Sequence, residues 1–476
     1  MYTIITLGAT MLITALLCGL VGRRFEAAFY KILKILTVAF GVVGLFRFML
    51  CDGFIFVING GLMDLVYYES TDILSTVLRW GYFACYSVLP MAVFTKSRLF
   101  RNLAELWCLP FVLLSCVFFE KYMVYFAQDT GRGIYMPSTL RAVYFVLELS
   151  LAMTIILSLL IKERHLPRVT DGREWARFLI ALPCVAVLTM PVYVPQSLIG
   201  YSTLRVGTFN AFHIGWMVLL AIVTVALCRL FRFRSYEDRY NLCLFLTLVL
   251  FFHYNSLYLM GFSLPRLPIQ LCNLAAFFYM LAIPFKMERF FQFCFIVNIT
   301  GTLIAILSPD FATTGVGFWN LHYIFEHSLV LMVPVLAMGL RLFPRITRRS
   351  LKYMLIGFCF YFLFCMIGGG LLNIFSDYTG QEVNYFFMFD LDKAKSFVSF
   401  ISFVEVLPVV IGAYTFYPLM MPIIFVGFLV LCLVFYKATF FFYRMEEDHL
   451  ALRDAEITLL EEWRGKPSRR PREFKD

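Results

Sequence analysis

The stretch "LHYIFEHSLVLMV", residues 321–333, puts an imidazole, His327, and a carboxylate, Glu326, at the opening of a long apolar run. A second stretch, "VYFVLELSLAMTI" at residues 143–155, keeps the carboxylate as Glu148 and matches Ser328 with Ser150, but replaces the imidazole with Leu149. An ionisable group inside an apolar segment is costly, which makes it a site candidate by default. His327 is therefore the candidate general base. Cys272, in "LPIQLCN", is the candidate nucleophile, with the hydroxyls of Thr300 and Ser328 as weaker choices. Gln270, Asn273 and Asn384 are the amides available to donate to a developing oxyanion. His253 and Asn255, in "FFHYNSLYLMG", and Asp310, in "LSPD", complete the polar set, and Asp310 or His253 is the third group that a catalytic His327 needs. The plain readings stay open beside these: interfacial histidines, a packing thiol, amides that bond between helices, and a Glu326 that serves a helix N-terminus.

The elements that must position these residues are membrane-crossing helices. Of 476 residues, 61% are apolar and 15% charged, far from the roughly 45–50% and 25% of soluble domains. Apolar runs of about 18 or more residues recur from end to end, the mark of a polytopic all-α protein. Thirteen spans are expected, near 3–20, 34–57, 79–95, 104–125, 141–161, 176–198, 209–230, 241–261, 267–285, 289–307, 324–342, 351–374 and 414–441. The formal charge of +10 sits in short clusters between these runs, which excludes a nucleic-acid groove. The thirteen Cys form no C-x-x-C pair, so neither a disulfide framework nor a metal site is expected, and nothing calls for a cofactor.

Connecting segments alternate in charge. "GRRFEAAFYK", "KSRLFRN", "RLFRFRSYEDR" and "RLFPRITRRSLK" are basic, whereas "GGLMDLVYYESTD" and "SPDFATTGVGFW" are acidic or nearly neutral. The positive-inside rule then predicts a cell-membrane protein with its N-terminus outside and its C-terminus cytoplasmic. On that topology the polar set gathers toward the outer face. The matches between "KSRLFRN" and "KMERFF", and between the two Glu-bearing runs, suggest a degenerate parallel duplication in a 1+6+6 arrangement. Its parts are an extra N-terminal helix and basic turn (1–30), a first six-helix half (31–235), a second half with the candidate site (236–443) and a charged tail (444–476). The tail offers a surface for a protein partner or for the membrane.

The ordered run of "LPIQLCNLAAFF", "LSPD", "HYIFEHSLVLMVPV" and "VNYFFMF" resembles the YwaF-like family of integral membrane proteins, related to vertebrate transmembrane protein 164. The resemblance covers residues 241–441. It implies a six-span module with a polar site, a phospholipid acyltransferase using a Cys in the vertebrate relative, and Thr–His hydrolases among distant relatives. His327 matches the family His. Ile269 stands where the vertebrate pattern has Cys, and Gln270 where it has the adjacent His; Cys272 corresponds to a bacterial variant of the motif. The expected function is a lipid acyltransferase or hydrolase acting on membrane lipids through His-assisted attack on an ester. A non-catalytic lipid transporter or flippase, and a membrane scaffold, are the alternatives.

Overall fold

Among the described residues, thirteen principal helices form where the apolar runs predict them. The computed structural model describes residues 1–49, 73–95, 97–119, 138–163, 172–191, 194–195, 204–257, 264–309, 311, 315–391, 407–412 and 414–463. The helices are α1 (Tyr2–Arg24), α2 (Glu26–Met49), α3 (Thr76–Phe94), α4 (Arg98–Val117), α5 (Ser138–Glu163), α6 (Gly172–Leu188) and α7 (Ala211–Phe231). They continue as α8 (Tyr236–Asn255), α9 (Leu271–Ala282), α10 (Glu288–Leu307), α11 (Phe318–Gly339), α12 (Arg348–Ile374) and α13 (Met420–Trp463). Among the described residues, 10 helices are long and apolar enough to cross a membrane. The chain is a polytopic all-α membrane protein.

Local chemistry fixes several boundaries. Asn210 caps α7 by accepting from the His213 amide at 2.9 Å, Ser235 caps α8 by accepting from Asp238 at 3.1 Å, and Thr347 with Ser350 closes a capping box on α12. Proline explains the shortness of α9. Pro268 precedes its start, and Pro284, which has no N–H to carry the helix on, follows its C-cap residue Ile283. The span expected over 267–285 is accordingly a helix of 12 residues.

Two helices organise the packing. In the first half, α5 lies against α1, α2, α3 and α4; in the second, α11 lies against α7, α8, α9 and α10. The seam between halves is α8, which also touches α2 and α3, with Phe252 stacked on Tyr86 at 5.1 Å. At the end where the basic segments lie, Arg345 bonds Glu446 at 2.7 Å and the Met338 carbonyl at 3.0 Å, tying α13 to the turn after α11. A two-stranded antiparallel hairpin, β1 (Val409–Ile411) with β2 (Tyr414–Phe416), precedes α13.

Candidate functional site

The site begins with the broken backbone ahead of α9. Twelve helical residues reach roughly 18 Å, well short of a hydrocarbon core about 30 Å thick. Irregular backbone is tolerated at such depth only where protein satisfies it, and here it is satisfied. Tyr361 donates to the Ile269 carbonyl at 3.1 Å, and Tyr385 donates to the Leu264 carbonyl. Gln270 bonds the Asn384 carbonyl at 2.7 Å and accepts from the Phe386 amide at 2.9 Å. The Asn384 side chain accepts from the Phe389 amide at 3.0 Å. Phe386 and Phe387 hold positive φ, 55° and 58°, a conformation bulky residues adopt only when their surroundings impose it. Gln270 and Asn384 thus come together, as a staple joining the start of α9 to the segment before the hairpin.

Gln270 occupies the N-cap position of α9 without capping it, because its amide is engaged with that segment. The first backbone N–H groups of the helix are therefore free of a side-chain cap, and Cys272 is the second helical residue. Such a terminus presents N–H groups and the positive end of the helix dipole to any negative charge that develops there. The half-buried Cys272 thiol lies beside the Thr302 hydroxyl and within reach of the Glu326 charge. Asn273 is half-buried on the next position of α9.

Glu326 has a partner that the sequence reasoning passed over. His322, one helical turn earlier on α11, places Nε2 3.4 Å from Glu326 Oε2. The His322 ring stacks on His253 of α8, centroids 5.2 Å apart and planes 14° apart. All three side chains are buried. Both His253 nitrogens, Glu326 Oε1 and Asn255 Oδ1 are enclosed without a hydrogen-bond partner among the described residues, which is expensive for buried polar atoms unless something polar meets them. His213 shows the contrast. Its Nδ1 accepts from the Phe209 amide at 2.8 Å and its Nε2 meets the Ile306 carbonyl at 2.7 Å, so this buried imidazole is fully used in holding structure.

His327 lies on the neighbouring face of α11. Its ring stacks on Tyr323 at 4.0 Å, and Nδ1 is 2.8 Å from the Tyr323 carbonyl. A carbonyl only accepts, so Nδ1 carries the hydrogen and Nε2 is the basic atom. Tyr323 in turn donates to the Ala305 carbonyl at 2.6 Å and meets Trp216 edge-on, which turns this face toward α7 and α10. His327 remains within electrostatic reach of Glu326 and His322.

The structure brings together Cys272, His253 and Glu326, adds His322, and sets His327 at their edge. The other hydroxyl choices are engaged elsewhere. Ser328 accepts from Trp216 at 2.8 Å while donating to the Ile324 carbonyl, and Thr300 donates to the Ile296 carbonyl at 2.7 Å. Asp310 lies outside the described residues. The signal for His322 was present in the sequence: a His and a Glu four apart share one helix face, whereas the adjacent pair Glu326–His327 cannot.

Residues 208–436 match the model of the TMEM164 family. The matched segment opens at α7 and closes in α13, so it includes every residue of the polar cluster. It also takes in α7, which the division at 235/236 assigns to the first half. In the structure α7 packs against α11 and ties to it through Trp216 and Ser328. No curated protein and no solved structure matches the chain.

Proposed function

We propose that the TMEM164-family segment transfers or hydrolyses acyl chains of membrane lipids, with Cys272 as nucleophile and the Glu326–His322 pair as its proton acceptor. The observation that carries this reading is the thiol's position at an uncapped helix terminus, beside a buried carboxylate–imidazole pair. The sulfur forms a thioester bond to the acyl carbon and the ester C–O bond breaks. The thiol proton travels through the Glu326–His322 pair to the leaving alcohol oxygen. A second alcohol, or water, then reverses the steps and releases the acyl group. Backbone N–H groups at the start of α9 face the oxyanion. Asn273, next to Cys272 on α9, and Asn255, at the end of α8, orient the lipid's polar head, and His253 steadies His322 by stacking. His327, with a basic Nε2, is the alternative acceptor on the same helix.

The orientation belongs to the same reading. Basic segments face the cytoplasm, the N-terminus and the start of α9 face the exterior, and the substrate enters from the outer leaflet. The first half is a diverged copy of the family segment. We pair α1 with α7, α2 with α8 and α5 with α11, because α1 and α2 flank α5 as α7 and α8 flank α11. In this pairing α13 is the supernumerary helix.

The purified full chain in phosphatidylcholine liposomes, given an isotope-labelled lysophospholipid, tests the assignment by mass spectrometry of the products. The wild type is expected to yield labelled phospholipid or free fatty acid, and Glu326→Gln to slow it by about 10²–10⁴-fold. Absence of both products from the folded wild type would overturn the reading.

A further inference from the structure

The contact between α1 and α5 carries a feature that the family segment lacks. Apart from Leu17, the buried side chains of α1 include Thr6, Thr10 and Thr14, one per turn. Ser150, Thr154 and Ser158 repeat the same spacing on α5 and are also buried. Two contacts fix how the helices align. Lys162 Nζ donates to the Gly22 carbonyl at 2.7 Å, and the Cys18 thiol lies next to Ser158. Both pairs are 140 residues apart. Continuing that register up two parallel helices sets Thr14 level with Thr154, and Thr10 level with Ser150.

Hydroxyls inside helices of this protein ordinarily bond the carbonyl one turn back. Thr6, Thr37, Thr247, Thr300 and Thr302 all do so. Thr10, Thr14, Ser150 and Thr154 do not: each hydroxyl is buried, and none has a hydrogen-bond partner among the described residues. On the register above they lie level in pairs across the seam. Buried hydroxyls on both walls that make no direct bond are the groups that a bridging water satisfies. The second half is built differently. Ser328, the match of Ser150, is bonded directly by Trp216, and the next two rungs are Met332 and Leu336.

We infer that the α1–α5 seam binds a file of water, open to solvent at Lys162 and reaching as far as Thr10. The file is roughly 18 Å long, since about 1.5 Å of rise separates successive residues. It gives the first half a hydrated interior on the side away from Glu148, independent of the chemistry proposed for Cys272.

Water-edited solid-state NMR on threonine-labelled full chain in phosphatidylcholine bilayers tests this directly, because polarisation passes from mobile water only to side chains beside it. Single Thr→Val variants assign each signal by its loss, so the measurement itself is made on the wild type. Thr10, Thr14 and Thr154 are expected to build up severalfold faster than Thr37 and Thr247, which are equally buried but bonded to backbone. Build-up as slow as that of Thr37 and Thr247 would overturn the inference.

Discussion

Glu148 and Glu326 occupy matching places on the two central helices, and both are buried. In the first half, Tyr86 donates to Glu148, and a packed aromatic group surrounds that phenol: Phe40 stacks on it at 5.2 Å and Phe252 at 5.1 Å. Gly44 makes room for the ring, since a Cβ there would come within 2.2 Å of it. Tyr144, the match of His322, donates to the Val43 carbonyl and so serves the backbone of α2. In the second half the carboxylate meets an imidazole, keeps one oxygen without a partner, and has His253 stacked behind its partner. Each carboxylate also has a cysteine nearby, Cys85 within reach of the Glu148 charge and Cys272 within reach of Glu326. The difference is one of availability. A phenol satisfies a buried carboxylate and stays neutral near pH 7, whereas an imidazole can exchange a proton with it.

This comparison can be broken most sharply at the cysteines. Cys272→Ala is expected to lower acyl transfer by roughly three orders of magnitude or more, as loss of a nucleophile does. Cys85→Ala should leave the rate per folded molecule unchanged, so equal losses in both would erase the distinction between halves. At the next scale, His322→Ala should slow turnover by about 10²–10⁴-fold. Tyr144→Phe, its counterpart, should change only thermal stability; a rate loss there would mean that the first half takes part in the chemistry. The smallest effect is expected from Tyr86→Phe, which strips a donor from a buried carboxylate. It should cost about 1–3 kcal/mol of stability, visible as a lower unfolding midpoint, with the rate per folded molecule retained.

Much of the architecture was legible in the sequence because membrane helices announce themselves. Among the described residues each of the thirteen expected spans overlaps a helix, ten of them long and apolar enough to cross a membrane, and the resemblance drawn from "LPIQLCN" and "HYIFEHSLVLMVPV" led to the family that residues 208–436 match. The mismatched places have physical causes. Pro268 and Pro284 clip α9, and the polar residues of α8 depress its hydropathy while its side chains stay buried against α11 and α9. The site was legible by residue type and less so by face. Comparing the two Glu-bearing stretches drew attention to His327, which stands against Leu149. Counting by fours from Glu326 leads instead to His322, and to Tyr144 in the other stretch. The staple formed by Gln270 and Asn384 joins segments more than a hundred residues apart, and no local pattern encodes it.

The most direct measurement concerns the thiol itself. Full-length protein mixed with phosphatidylcholine, quenched in acid within a single turnover and digested, is expected to give a peptide carrying a fatty-acyl thioester on Cys272. The adduct should be absent from Cys272→Ala and accumulate when no acceptor lysophospholipid is supplied. Acyl exchange that proceeds with Cys272 unmodified, or with the acyl group on another residue, would contradict the account.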